Sequence, residues 1–155
     1  MTESILLDRV AELTEAEKIK QFCLAGKAVF TLVSKKTGVR FTYKVAKPAT
    51  FNPDRRLWFV SLLTGPDNMG SYNYLGMIRG HVDQNFYVHG AKSTVGGDAP
   101  SVKGFTYFWD RLITCNEIGP GLEFFHAGRC GRCGRALTVP ESVASGYGPE
   151  CAERI

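Results

Sequence analysis

The sequence predicts an α+β fold: an antiparallel sheet of four to five strands packed by two helices, followed by a small C-terminal zinc-knuckle module. Three observations carry this. Apolar residues recur at helical steps in two segments, near residues 14–25 and 101–113. Between them, short runs of β-branched and aromatic residues alternate with polar ones and are separated by turn residues. Three cysteines fall within the final thirty residues, two of them as a Cys-x-x-Cys-Gly turn. We divide the chain into an α+β domain over residues 1–121 and a metal module over residues 122–155.

Thr14-Glu15-Ala16-Glu17 has the capping-box pattern, and Ile19, Phe22 and Cys23 follow on one helical face before Gly26. A weaker helical turn is expected around residues 5–13. The run Lys27 to Ser34, the turn Lys35-Lys36-Thr37-Gly38 and the run Val39 to Val45 read as a β-hairpin. Val39, Phe41, Tyr43 and Val45 share one face of its second strand, and Arg40, Thr42 and Lys44 share the other. One packed face and one wet, basic face follow. Residues 48–56 form a loop. Residues 57–63 form a mostly buried third strand, and residues 64–70 a dense turn cluster. Residues 72–78 give a fourth strand and residues 85–89 a fifth. A polar loop over 91–100 leads to the second helix, whose stripe is Val102, Phe105, Phe108, Trp109, Leu112 and Ile113. Gly119-Pro120-Gly121 breaks the chain, and a short strand over 122–125 enters the last module.

With 155 residues and 44% hydrophobic content, the chain can bury a core and is too apolar for a disordered segment. Its longest apolar runs are strand-sized, and Met1-Thr2-Glu3-Ser4 lacks the pattern of a secretion signal, so a cytoplasmic protein is expected. The odd count of five cysteines argues against a disulfide framework. The net charge of +4 is unevenly spread: residues 27–60 carry eight basic groups against one acidic, a local +7. A charge run of this kind is often no more than a solvated sheet face.

Cys130 and Cys133 can present two thiolates to one ion, and the glycines allow the tight turn. Cys151, after seventeen intervening residues, supplies a third. A closed zinc site needs four ligands. Arg154, at the next position of that helical face, stays protonated and cannot serve. His126, four residues before Cys130, is the chosen fourth ligand, with Glu150 and Glu153 in reserve. A redox pair is the alternative, but such a motif opens a helix after a strand, whereas glycines and arginines surround this one. Cys23 and Cys115, in helical patterns, read as small buried hydrophobes. His81 and His89 join no cluster.

The run Cys130-Gly131-Arg132-Cys133-Gly134-Arg135-Ala136-Leu137-Thr138-Val139-Pro140-Glu141-Ser142, with Ser145-Gly146-Tyr147-Gly148-Pro149-Glu150-Cys151, resembles a zinc-ribbon or treble-clef-like module. That module belongs to a largely uncharacterised family of phage and bacterial proteins. Residues 58–68, with Tyr74-Leu75-Gly76, also resemble the body of phage proteins that end this way. The resemblance implies a phage or bacterial cytosolic protein and a zinc-binding role for Cys130, Cys133 and Cys151. It implies no activity.

The first functional expectation is nucleic-acid binding. Lys35, Lys36, Arg40, Lys44, Lys47, Arg55 and Arg56 supply cations for phosphates, and Tyr72 and Tyr74 supply rings on which unpaired bases stack. Arg129, Arg132 and Arg135 add charge on the cysteine turn. No recognition helix of a known docking type is visible, which favours single-stranded DNA or RNA over a duplex operator. The alternative is a phage module that engages or inhibits a host protein, with its zinc purely structural and the acidic first helix (Glu12, Glu15, Glu17) as its surface. Catalysis ranks third: His81 and Asp83 form the one close His–carboxylate pair, and no phosphate loop or nucleophile motif is present. We expect no enzyme.

Overall fold

The computed structural model describes residues 11–48, 56–64, 71–81, 84–137 and 140–153. Seven strands form one antiparallel sheet: β1 (Glu12–Leu13), β2 (Lys27–Ser34), β3 (Arg40–Ala46), β4 (Arg56–Leu63), β5 (Tyr72–His81), β6 (Gln84–His89) and β7 (Leu122–His126). Their order across the sheet is β1-β7-β2-β3-β4-β5-β6. Helix α1 (Ala16–Cys23) joins β1 to β2, and α2 (Pro100–Cys115) lies between β6 and β7. Two short helices, α3 (Pro140–Ser145) and α4 (Pro149–Glu153), complete the C-terminal segment. The α+β class is as expected, with more strands. Two-residue β1 is too short for any periodicity to reveal. It replaces the last part of the helical turn expected over 5–13, whose remainder lies outside the described residues. β7 is the short strand expected before the cysteines, and it pairs with both β1 and β2.

Alternation along the strands produces the two-faced sheet. Ala28, Phe30 and Leu32 of β2, Tyr43 and Val45 of β3, Trp58, Val60 and Leu62 of β4, and Phe124 of β7 are buried on one side. Helix α2 covers this side with Val102, Phe105, Phe108, Trp109 and Leu112, its stripe meeting the sheet as its spacing predicts. The core is strongly aromatic. Phe30 stacks on Phe124 with ring centroids 4.7 Å apart, and Tyr43 meets Phe105 at 5.1 Å. Three of the polar tips are paired: Tyr43 Oη donates to the Ser101 carbonyl at 2.6 Å, and the indoles of Trp58 and Trp109 donate to the carbonyls of Leu24 and Asn85.

Three local expectations are corrected. Helix α1 has Glu15 rather than Thr14 at its N-cap, with no side-chain cap bond, because the chain from β1 is still extended at Glu15. Val39 is exposed, since β3 begins only at Arg40. Cys115 is exposed at the end of α2, beyond the last buried position of the stripe, Leu112, whereas Cys23 is fully buried as expected and its thiol is pushed up by burial.

A β-bulge interrupts the β4–β5 ladder. Val60 faces Gly76 and Ser61 faces Tyr74, so Leu75 is the extra residue, and it is buried. Without it, Tyr72 and Tyr74 would share the helix-covered face with Ile78; the bulge turns both toward the open face.

Gly76 sits where β6 approaches most closely. A Cβ there would lie 2.3 Å from the Val88 carbonyl oxygen and 3.0 Å from the Gly90 nitrogen, both backbone atoms unable to move aside. Gly76→Ala is expected to cost about 1–3 kcal/mol, the range of an overpacked site, read as a lowered urea midpoint with faster amide exchange in β6. An unchanged midpoint would show that this strand pair can separate freely.

Candidate metal centre and the adjoining basic groove

The segment after β7 turns sharply through Gly128 and Gly134, both at positive φ, and Arg129 bridges to Ala136 across the loop. The Cys130 amide donates to the Arg135 carbonyl, and the Gly134 amide to the Cys130 carbonyl, each at 2.8 Å. This closed loop presents Cys130 and Cys133. Cys151, in the first turn of α4, completes the group, and the three sulfurs lie within 4.8 Å of one another. Three cysteines so placed can hold a metal ion. Cys130 and Cys151 are buried and Cys133 is exposed.

The backbone is arranged for thiolate. Burial pushes the Cys130 thiol up, but the amides of Gly148, Cys133 and Arg132, with the Cys133 thiol, pull it down to about 7. Arg132 donates to Cys151 Sγ at 3.6 Å, which lowers that thiol, while burial and the two neighbouring sulfurs raise it, with a net rise. The ligand set reads as thiolate-forming and soft.

His126 does not join the cluster. Its Nδ1 accepts from the Gly128 amide at 3.0 Å, which leaves Nε2 to donate to the Val143 carbonyl. Both nitrogens are therefore engaged by backbone, and the ring, buried against Phe22, fastens α3 to β7. The fourth-ligand expectation for His126 is corrected accordingly. Burial holds its pKa below the ordinary value near 6.5, the Val143 bond opposing that in part. Glu150 lines the depression of about 510 Å³ that opens beside Cys133 and Cys151, and Glu153 is exposed.

On the other side of Cys133 lies a second concavity, an open groove of about 620 Å³ on the uncovered face of the sheet. Val29, Thr31, Thr42 and Lys44 form its floor, Leu63 and Tyr72 one side, and Lys27, Arg129, Cys133 and Gly134 the other. Lys44 Nζ lies 5.7 Å from the Tyr72 ring centroid. Thr31 and Thr42 share a hydrogen bond of 2.7 Å across the floor. Burial raises the Tyr72 hydroxyl and the nearby Arg129 charge opposes it.

Of the residues singled out for nucleic acid, the structure brings Lys44, Tyr72 and Arg129 together. Arg40 lies on the same face, two residues beyond Thr42. Tyr74 also lies there, its ring edge-on to Phe59 at 6.3 Å. Lys35 and Lys36 occupy the β2–β3 turn, four and five residues along the chain from Thr31 of the groove floor, and do not line the groove. Lys47 follows β3, its stem near Gly26. Arg56 shares the helix-covered face with Trp58, by alternation. Arg132 and Arg135 line the depression with Glu150 rather than the groove. Arg55 and Asp83 lie outside the described residues, as does the turn over 65–70. Lys27 is the cation that sequence reading missed; it alternates in phase with Val29 and Thr31, which marks its face.

The fold and cluster define an α+β protein with a three-cysteine centre at its C-terminal end. Residues 121–155 match a family of unknown function, DUF6011. No curated protein and no solved structure matches the chain.

His126→Gln is expected to retain the bound metal, while Cys130→Ser or Cys151→Ser loses it; metal analysis of the purified variants decides, and loss from the glutamine variant would return His126 to the ligand set. A histidine whose folded pKa is lowered adds stability above its unfolded value and loses it as pH falls. The stability advantage of the parent chain over His126→Gln should therefore shrink as pH drops below about 6.5, measured by urea unfolding at several pH values.

Proposed function

We propose that the chain is a zinc-containing nucleic-acid-binding protein of phage or bacterial origin, acting in the cytoplasm and taking a single strand of DNA or RNA in the basic groove. One observation carries the reading: Lys27, Lys44 and Arg129, from separate parts of the chain, line one groove with Tyr72, Lys44 lying over its ring. Three cations along one concavity suit a phosphate backbone, and a ring held beside them suits an unpaired base. The floor is a sheet face, which accepts a splayed strand more readily than the curved surface of a duplex.

Zinc fits the donor set. Three soft sulfur ligands, one titrating near neutrality and all close enough for one ion, match zinc preference for thiolate. The fourth position falls to Glu150 or to solvent. The ion would fix the turn that carries Arg129 and so hold one wall of the groove. Three thiolates around a divalent ion leave one negative charge, which the Arg132 contact with Cys151 offsets.

The alternative, a module that occupies a host protein through an acidic first helix, draws less support. Glu15 and Glu17 pair with Lys18 and Lys20 of the same helix, so its exposed face is mixed rather than acidic.

Chain prepared without chelator should contain one zinc. Lys44→Glu with Arg129→Glu should weaken binding to a labelled oligothymidine about tenfold or more at low salt and flatten the salt slope by about 1.4, two contacts at roughly 0.7 each for single strands. Removal of zinc by chelation should weaken binding as well. A gel shift in which the double variant retains both affinity and slope would dismiss the groove.

A further inference from the structure

Beyond the groove, the open face changes character without interruption. Three large apolar side chains there are exposed: Phe59 by 38%, Phe86 by 52% and Val88 by 49%. Phe59 stands edge-on to Tyr74, one strand from Tyr72. Across the next ladder Phe86 faces Arg79 directly, so ring and guanidinium rise from the same side of the sheet. Lys44 lies over the Tyr72 ring in the groove, and at the β6 edge Arg79 and Phe86 are cross-strand neighbours on the same face. Cations and rings set side by side along one sheet face suit a single strand, which offers phosphates to the first and bases to the second.

We propose that Phe59 and Phe86, with Arg79, form a stacking platform that extends the binding site, so that a single strand crosses the sheet from Arg129 to the β6 edge. The proposal rests on the nucleic-acid reading above and adds its path, its extent and two base-stacking residues. From β2 to β6 is four strand spacings, about 19 Å, enough for the roughly four nucleotides of a small single-strand site. Bases stack on Tyr72, Phe59 and Phe86, and phosphates lie near Lys44 and Arg79.

The test uses the full zinc-loaded chain and a fluorescein-labelled ten-nucleotide oligothymidine at two salt concentrations. Phe59→Ala and Phe86→Ala should each weaken binding about fivefold or more, with the salt slope unchanged because no cation is removed. Neither side chain belongs to the buried core, so the fold should tolerate the substitutions. Phe86→Trp should bind as the parent does, and its indole emission should be quenched as oligothymidine is added. Trp58 and Trp109 are buried and leave that signal to the new indole. If the parent binds oligothymidine and both alanine variants bind equally well with no quench in Phe86→Trp, the platform is overturned while the groove stands. If the parent binds no nucleic acid at low salt, the underlying reading fails first. A dimer in solution that Phe86→Ala converts to monomer would also overturn the proposal, by assigning this face to a second copy of the chain.

Discussion

The packing of one ring, Phe22, holds the candidate site to the sheet. It projects from α1 into the junction of the strands and the cysteine segment. Phe124, His126 and Tyr147 surround it at centroid distances of 5.8 to 5.9 Å. Gly131, between the two cysteines of the turn, lies so close that a Cβ would sit 2.6 Å from two ring carbons. Gly146 packs on the same ring. The metal turn therefore rests directly on a residue fixed in the core, and backbone bonds secure the register: the Lys27 amide donates to the Gly131 carbonyl at 2.8 Å, and the Gly131 amide to the Gly146 carbonyl at 2.9 Å. Cys130, Tyr147 and Cys151 belong to the same apolar cluster as Phe30 and Trp109. A shift in the ring would be felt at once by the cysteine spacing and by Arg129 in the groove wall.

This coupling explains why the groove has two kinds of wall. The floor is set by strand alternation and is as rigid as the sheet. The wall that carries Arg129, Cys133 and Gly134 is a loop, and loops keep geometry through local ties. Arg129 itself provides one, donating to the Gly134 carbonyl at 3.1 Å. An ion held by the three sulfurs would provide another and would link the loop to α4, which Arg132 also reaches through Cys151 Sγ.

Much of the fold was legible because burial writes a period into the sequence. The α2 stripe, the hairpin and the two-faced β3 followed from spacing alone, as did the gathering of Cys130, Cys133 and Cys151 from the Cys-x-x-Cys-Gly turn and a third cysteine downstream. What was not legible depends on phase or on partners. The bulge at Leu75 reverses the faces of Tyr72 and Tyr74 relative to Ile78, and no composition signal announces it. Phe59 belonged to a run too uniformly apolar to divide by face. His126 had the chemistry of a ligand, but its nitrogens are taken by Gly128 and Val143, the second of them seventeen residues away. Hydrogen-bond competition over that separation has no sequence signature. The basic segment was read as one patch, whereas its cations distribute between the hairpin turn, the groove and, with Arg56 of β4, the opposite face.

The position of β7 has a consequence for how the chain is made. β7 fills the gap between β1 and β2, yet it is the last of the seven described strands to leave the ribosome. Until residues 122–126 emerge, the outer edge of β2 has exposed amides and carbonyls beside the apolar Phe30 and Leu32. Closure of this gap brings together segments about a hundred residues apart, the kind of distant pairing that slows folding and leaves an edge open to wrong neighbours. The tail that presents the cysteines is thus also the piece that seals the sheet, and synthesis rather than stability sets when the metal centre can first assemble.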